Sequence, residues 1–224
     1  MTKKESEGSI ISHLTELRTR LIHSFVFLLL FFVFCYFFAE YLYGFLVNPY
    51  AEAVKNDGIE RRLIFTALQE TFLTYLKVSF FVAFFITFPF LLIQIWKFIA
   101  PGLYENEKKA IMPYLIATPI LFFLGGALVY YLIMPLAINF FLSFESSGVV
   151  TQLPIQLEAK VNEYLSLIMK LIFAFGLSFQ LPVILSLLAR INVIDSKYLK
   201  ERRKYVVVIM FIAAAILTPP DPIT

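Results

Sequence analysis

Apolar residues in this chain come in long blocks rather than in alternation with polar ones. The first block fills residues 21–38, interrupted only by His23 and Ser24 near its start. At about 1.5 Å per residue, a helix of that length reaches about 27 Å, close to the hydrocarbon thickness of a bilayer. Blocks at 72–98, 110–133, 163–189 and 205–217 predict four further spans. The last reaches only about 20 Å and needs local thinning or a protein neighbour. Polar connections at 40–70, 99–109, 134–162 and 190–204 separate the blocks. The segment 40–70 holds Asn48-Pro49 and Asn56-Asp57-Gly58 and is long enough for short helices outside the membrane. Pro89, Pro113, Pro119 and Pro182 fall inside the blocks. They predict kinked helices whose freed carbonyls need other partners. The predicted fold is an all-α polytopic membrane bundle, one domain over residues 1–224. Its bent spans form a curved, concave wall partly facing lipid.

Composition turns that pattern into an exclusion. Hydrophobic residues make up 60% of the 224 and charged residues 16%, against roughly 25% charged in an average soluble domain. That leaves too little polar surface to coat a water-facing globule. A disordered chain and an ordinary soluble enzyme are excluded. A net charge of +3 on so apolar a chain is no nucleic-acid-binding patch. The single cysteine, Cys35, excludes an internal disulfide. Charges run to Arg20, and no small-residue cleavage site follows the first block, so the N-terminus does not read as a secretory signal.

Charge position sets the orientation. Lys3, Lys4, Arg18 and Arg20, then Lys97, Lys108 and Lys109, then Arg190, Lys197, Lys200, Arg202, Arg203 and Lys204 share one side. That is thirteen of the 19 Lys and Arg residues. The positive-inside rule makes that side cytoplasmic, with the N-terminus inside.

Signatures of cofactor or metal chemistry are missing from the sequence. There is no phosphate-binding glycine loop, no H-E-x-x-H and no cysteine pair, so no cofactor and no metal are expected. His13 and His23 read as interface residues. Cys35 lies about 18 Å along the helix from His23, too far for a nucleophile and its base. Carboxylates at the inner surface stand out instead. Glu16 precedes Arg20 by one helical turn, and Glu105 and Glu107 sit in the second inner loop. Anionic lipid gives a carboxylate nothing there. Such a group suits a guanidinium from a partner, although a helix cap or a solvated turn accounts for the spacing as well. Within the blocks, Lys77 is placed to snorkel. Lys170 either snorkels or enters a polar cavity, and Gln180 is an amide within lipid.

Two segments carry a resemblance. His13-Leu14-x-Glu16-Leu17-Arg18-x-Arg20, and Phe98-x-x-Pro101-x-Leu103-x-x-x-Glu107, resemble the TatC family, the signal-peptide receptor of the twin-arginine protein translocase. Gly125 to Pro135 with Tyr130, Phe175-Gly176-x-x-Phe179-x-x-Pro182 and Leu217-Thr218-Pro219-Pro220-Asp221 extend it along nearly the whole chain. The resemblance implies a receptor that binds twin-arginine signal peptides of folded cargo at its cytoplasmic face. TatA- and TatB-type single-span proteins would be its partners, in a prokaryotic inner membrane and driven by the proton-motive force. It implies that Glu16 and Glu107 meet the two arginines. Arg18, Phe98, Pro101, Leu103 and Tyr104 are their motif neighbours. Pro49 and Tyr130 match structural positions, and Asp221 matches the acid after the fifth helix. Gln180 stands where many members carry an intramembrane Glu, so a proton-carrying role is not expected there. The family also has a short sixth helix, and this chain stops at Thr224 before it. The competing class is a small-solute or ion transporter. That class calls for paired intramembrane charges and often repeated halves, and the sequence offers only Lys170 and no repeat.

Overall fold

The structure, a computed structural model, describes residues 3–55, 61–99, 105–146, 155–190 and 196–217. Its helices are α1 (Lys3–Phe37), α2 (Ala39–Val54), α3 (Glu70–Ile99), α4 (Glu105–Leu128), α5 (Met134–Leu142), α6 (Val161–Ser178), α7 (Gln180–Arg190) and α8 (Ser196–Leu217). Among the described residues, four helical stretches are long and apolar enough to cross a membrane: Leu14–Phe37, Glu70–Phe98, Met112–Leu142 and Val161–Arg190. The block at 205–217 forms the C-terminal part of α8 and is not among them.

Three of the proline positions explain how the helices bend. Pro182 has no N–H for the carbonyl of Ser178, and its ring crowds that carbonyl. The helix breaks there, between α6 and α7, and Phe179 at the junction donates its N–H to the Phe175 carbonyl at 2.9 Å. Pro135 acts differently. The apolar blocks predict an outer connection from 134, but helix continues through Pro135 to Leu142. A π-helical turn over Val129–Ile133 absorbs the missing donor, with the Met134 N–H reaching back to the Val129 carbonyl. The third crossing therefore runs nine residues further than the hydropathy blocks indicate, and the outer connection begins at Ser143. Pro49 lies inside α2, and its consequence appears at the outer end described below.

The core lies in the outer half of the bundle. α6 is its centre: Val161, Tyr164, Leu165, Ile168, Met169 and Ile172 recur every three or four residues and are buried. They pack against Leu46 and Tyr50 of α2, Val78 of α3 and Val129, Met134 and Ile138 of the third crossing. α1 takes little part. Its apolar residues face outward apart from a seam along α3, where Phe27 stacks on Phe90 and Phe32 meets Phe80 edge-on. Towards the inner half, α4 and α6 come into backbone contact. A methyl added at Gly125 would lie 2.8 Å from the Phe175 carbonyl oxygen, and one at Gly176 would lie 2.8 Å from the Phe122 ring. Only glycine permits this approach. Phe122, fully buried, fills the remaining space by stacking on Phe88 at 3.7 Å between centroids.

Candidate functional site

α1 carries Glu16 and Arg20 at the inner end of the bundle. The i,i+4 spacing closes into an ion pair, with Arg20 Nη2 at 2.5 Å and Nε at 3.1 Å from the same Glu16 oxygen. The side chains are 24% and 33% exposed for Arg20 and Glu16, so the pair is neither solvated freely nor desolvated. Arg18 lies exposed one residue from Thr19, which bonds back to the Thr15 carbonyl. α3 runs antiparallel to α1 and brings Lys97 and Phe98 to the same end. Glu107 falls in the first turn of α4, which starts six residues after α3 ends, so its backbone is at that end too. Its side chain, and Pro101, Leu103 and Tyr104, lie outside the described residues, as does Asp221.

Gln180 opens α7 and is 5% exposed. Its amide Nε2 donates to the Thr118 carbonyl of α4 at 3.1 Å and to the Gly176 carbonyl at 3.3 Å. Oε1 is buried with no hydrogen-bond partner among the described residues. The amide thus ties the broken fourth crossing to the third and keeps one acceptor unused. Lys170 is exposed on α6 and makes no ion pair among the described residues. It borders a largely apolar groove of about 550 Å³ between α5 and α6, with Phe141, Tyr164 and Leu167. Lys77 reaches the outer connection, donating to Asn162 at 2.8 Å.

At the outer end, Pro49 and Tyr130 turn out to serve one atom. Pro49 cannot donate to the carbonyl of Phe45, four residues before it. The Tyr130 hydroxyl donates to that carbonyl instead, at 2.7 Å, and its ring stacks on Phe45 at 4.6 Å with an interplanar angle of 5°. Tyr164 adds a second hydroxyl bond to α2, at the Leu46 carbonyl, 3.1 Å away. This cross-link is legible only once the helices are placed, because a backbone carbonyl has no letter in the sequence.

Sequence reasoning missed the ion pair that closes the outer connection. Arg61 grips Glu145 through both terminal nitrogens, at 2.5 and 2.7 Å, and the Leu157 N–H donates to the same carboxylate at 2.7 Å. The Arg61 side chain is 3% exposed and that of Glu145 19%. Arg61, then the Leu157 amide, hold the Glu145 carboxyl below the usual carboxylate range. Backbone bridges Ile64 to Lys160 and Ser146 to Ile155 fasten the same segments. Among the described residues, no group of His, Cys, Asp and Glu could hold a metal ion.

With this geometry in place, similarity to known proteins is extensive. The family described as "TatC: Sec-independent protein translocase protein (TatC)" matches residues 12–224. A Sec-independent protein translocase protein TatC from Magnetococcus marinus is 47% identical over 220 residues, covering 98% of this chain and 78% of that protein. The protein of the same name from Rickettsia prowazekii is 45% identical, covering 95% and 83%. A crystal structure described as the twin arginine translocase receptor TatC superposes with a TM-score of 0.78 at 35% identity, covering 93% of this chain and 88% of that one.

Proposed function

Because the chain belongs to the TatC family of Sec-independent protein translocase proteins, we propose that it is the receptor subunit of a twin-arginine translocase, recognising signal peptides that carry two adjacent arginines. The observation that carries this reading is the Glu16–Arg20 pair at the inner rim. Glu16 already holds a guanidinium there. An arriving signal arginine exchanges for Arg20 rather than filling an empty carboxylate, so Glu16 has a guanidinium partner before and after binding. Exchange avoids the desolvation cost of a lone carboxylate beside lipid. It also suits the planar fork of Arg better than the point charge of Lys. Glu107, in the first turn of α4, supplies the second carboxylate in this reading. Arg18, Phe98, Pro101, Leu103 and Tyr104 line the approach. The apolar stretch of the signal then lies along the exposed flank of the bundle.

The protein binds and positions cargo and performs no bond chemistry in this reading. TatA- and TatB-type single-span proteins assemble on it in the cytoplasmic membrane of a prokaryote, and the proton-motive force drives transport. In this reading Gln180, whose buried acceptor is unused among the described residues, meets such a partner only when α4 and α7 part. Within the crossings, the buried polar residues among those described are Thr74, Ser79, Thr87 and Gln180, none of them charged, and the part-buried Arg61–Glu145 pair lies in the outer connection. That set gives a transporter reading no paired charge to work with.

The test is site-specific photocrosslinking of a twin-arginine signal peptide from positions 16 and 107, together with Glu16→Gln and Glu107→Gln. Each substitution is expected to weaken peptide binding, by less than about 1 kcal/mol if the contact stays solvated and by about 3–5 kcal/mol if it is desolvated. Membrane insertion is expected to be unaffected. Unchanged peptide capture in both variants, or equal capture of a peptide whose arginines are replaced by glutamine, refutes the reading.

A further inference from the structure

The inner ends of α1 and α3 leave between them a groove of about 490 Å³. Its floor is apolar, built on the Phe27–Phe90 stack with ring centroids 4.0 Å apart. Its mouth is lined by donors: Arg20 and His23 from α1, Gln94 and Lys97 from α3. Among the described residues, no carboxylate lines it. Glu16 engages only Nε and Nη2 of Arg20, which leaves Nη1 without a hydrogen bond among the described residues. Lys97 is exposed and makes no ion pair among those residues.

Depth narrows the ligand further. Arg20 lies near the start of the Leu14–Phe37 crossing and Lys97 is the penultimate residue of Glu70–Phe98. Both cations therefore sit at headgroup level, while Phe27 and Phe90 lie about two turns deeper in the hydrocarbon. A ligand that satisfies both levels has an anionic head and an apolar tail in fixed order.

We propose that this groove is a binding site for an anionic phospholipid of the inner leaflet. The phosphodiester sits between the Arg20 Nη1 group and the Lys97 ammonium, and one acyl chain lies over the Phe27–Phe90 stack. Charge-assisted bonds from a guanidinium and an ammonium select the anionic head, and basic pockets between spans on the cytoplasmic side are suited to such heads. A zwitterionic head brings its own cation into a mouth that already holds two. The site requires no signal peptide, and it shares only Arg20 with the recognition reading.

Trp96, the only tryptophan in the chain, directly precedes Lys97 on α3, outside the groove lining but beside the proposed headgroup position, and serves as a proximity reporter. The full chain is reconstituted in phosphatidylcholine vesicles containing an equal minor fraction of either brominated phosphatidylglycerol or brominated phosphatidylcholine, and quenching of Trp96 fluorescence is read. Brominated phosphatidylglycerol is expected to quench more strongly. In an Arg20→Gln/Lys97→Gln variant the excess is expected to fall at least about threefold, whereas Lys97→Arg retains it. An Arg202→Gln/Lys204→Gln variant, which removes two cations from α8 on the same side of the membrane, is expected to retain it as well. Equal quenching by the two lipids in the unmodified chain overturns the proposal. So does an excess that survives in the groove variant, or one lost as fully in the α8 variant, since the attraction is then that of the whole basic surface. The unmodified chain and Lys97→Arg keep the test decisive even if the double variant loses its fold.

Discussion

The Phe45 carbonyl offers a measurement in which two substitutions must depend on one another. In the native chain Pro49 withholds the helical donor from that carbonyl and Tyr130 supplies one from another helix, at 2.7 Å. Tyr130→Phe keeps the ring stack and removes the hydroxyl. The net worth of such a bond is about 1 kcal/mol, rising towards 3 where the acceptor is left shielded from water. For a chain of this size that lowers the unfolding midpoint by about 2–4 °C per kcal/mol. Pro49→Ala restores an N–H in the position to bond the same carbonyl within α2. In that background Tyr130→Phe no longer strands an acceptor, and its cost is expected to drop by about half or more. The four proteins of the cycle are compared by thermal unfolding in one detergent, with the coupling read as the difference between the two Tyr130→Phe shifts. Equal shifts in both backgrounds refute the argument, because the hydroxyl then serves something other than the carbonyl that Pro49 frees.

Two further outcomes follow from the charged pairs. Arg20→Gln removes the internal competitor at Glu16. The exchange reading expects twin-arginine peptide to bind about two- to fivefold more tightly, the equivalent of a half-exposed pair worth about 0.5–1 kcal/mol; weaker peptide binding in a titration speaks against exchange. Glu145 is ionised more readily in the folded chain than in the unfolded one. Its contribution is therefore complete above the ordinary carboxylate value of about 4.3 and disappears as pH falls through the lower folded value. Glu145→Gln is expected to lower the unfolding midpoint at neutral pH and to shrink that loss steadily below about pH 4.3. A deficit independent of pH contradicts the ion-pair account.

The parts legible in the sequence are those that depend on chain-local chemistry. The apolar blocks are long enough to identify the crossings without any partner, and Glu16 meets Arg20 because four residues make one turn. The break ahead of Pro182 is legible for the same reason, since the missing donor acts on a carbonyl four residues away. The helix past the block end at 133 is not legible, because a proline such as Pro135 has two remedies, a break or a π turn, and packing around Val129 and Met134 decides between them. Arg61 and Glu145 are 84 residues apart, and nothing local joins them. At the candidate site, the identity of the acids is readable. The state of Glu16, already paired, is visible only in three dimensions, as is the groove beside it.

Main chain against main chain at Gly125 and Phe175 leaves no compressible layer between α4 and α6. Side chains can swing aside to admit a guest, but two abutting backbones can only part. The joint therefore acts as a keel for the molecule. When a passenger leader or a companion helix wedges in, the deformation falls on members joined by sliding aromatic rings, above all α1 against α3. Of the long crossings, the one bearing Glu16 is the least buried and packs chiefly along α3, so a load taken up at the inner rim reaches the keel only by way of α3.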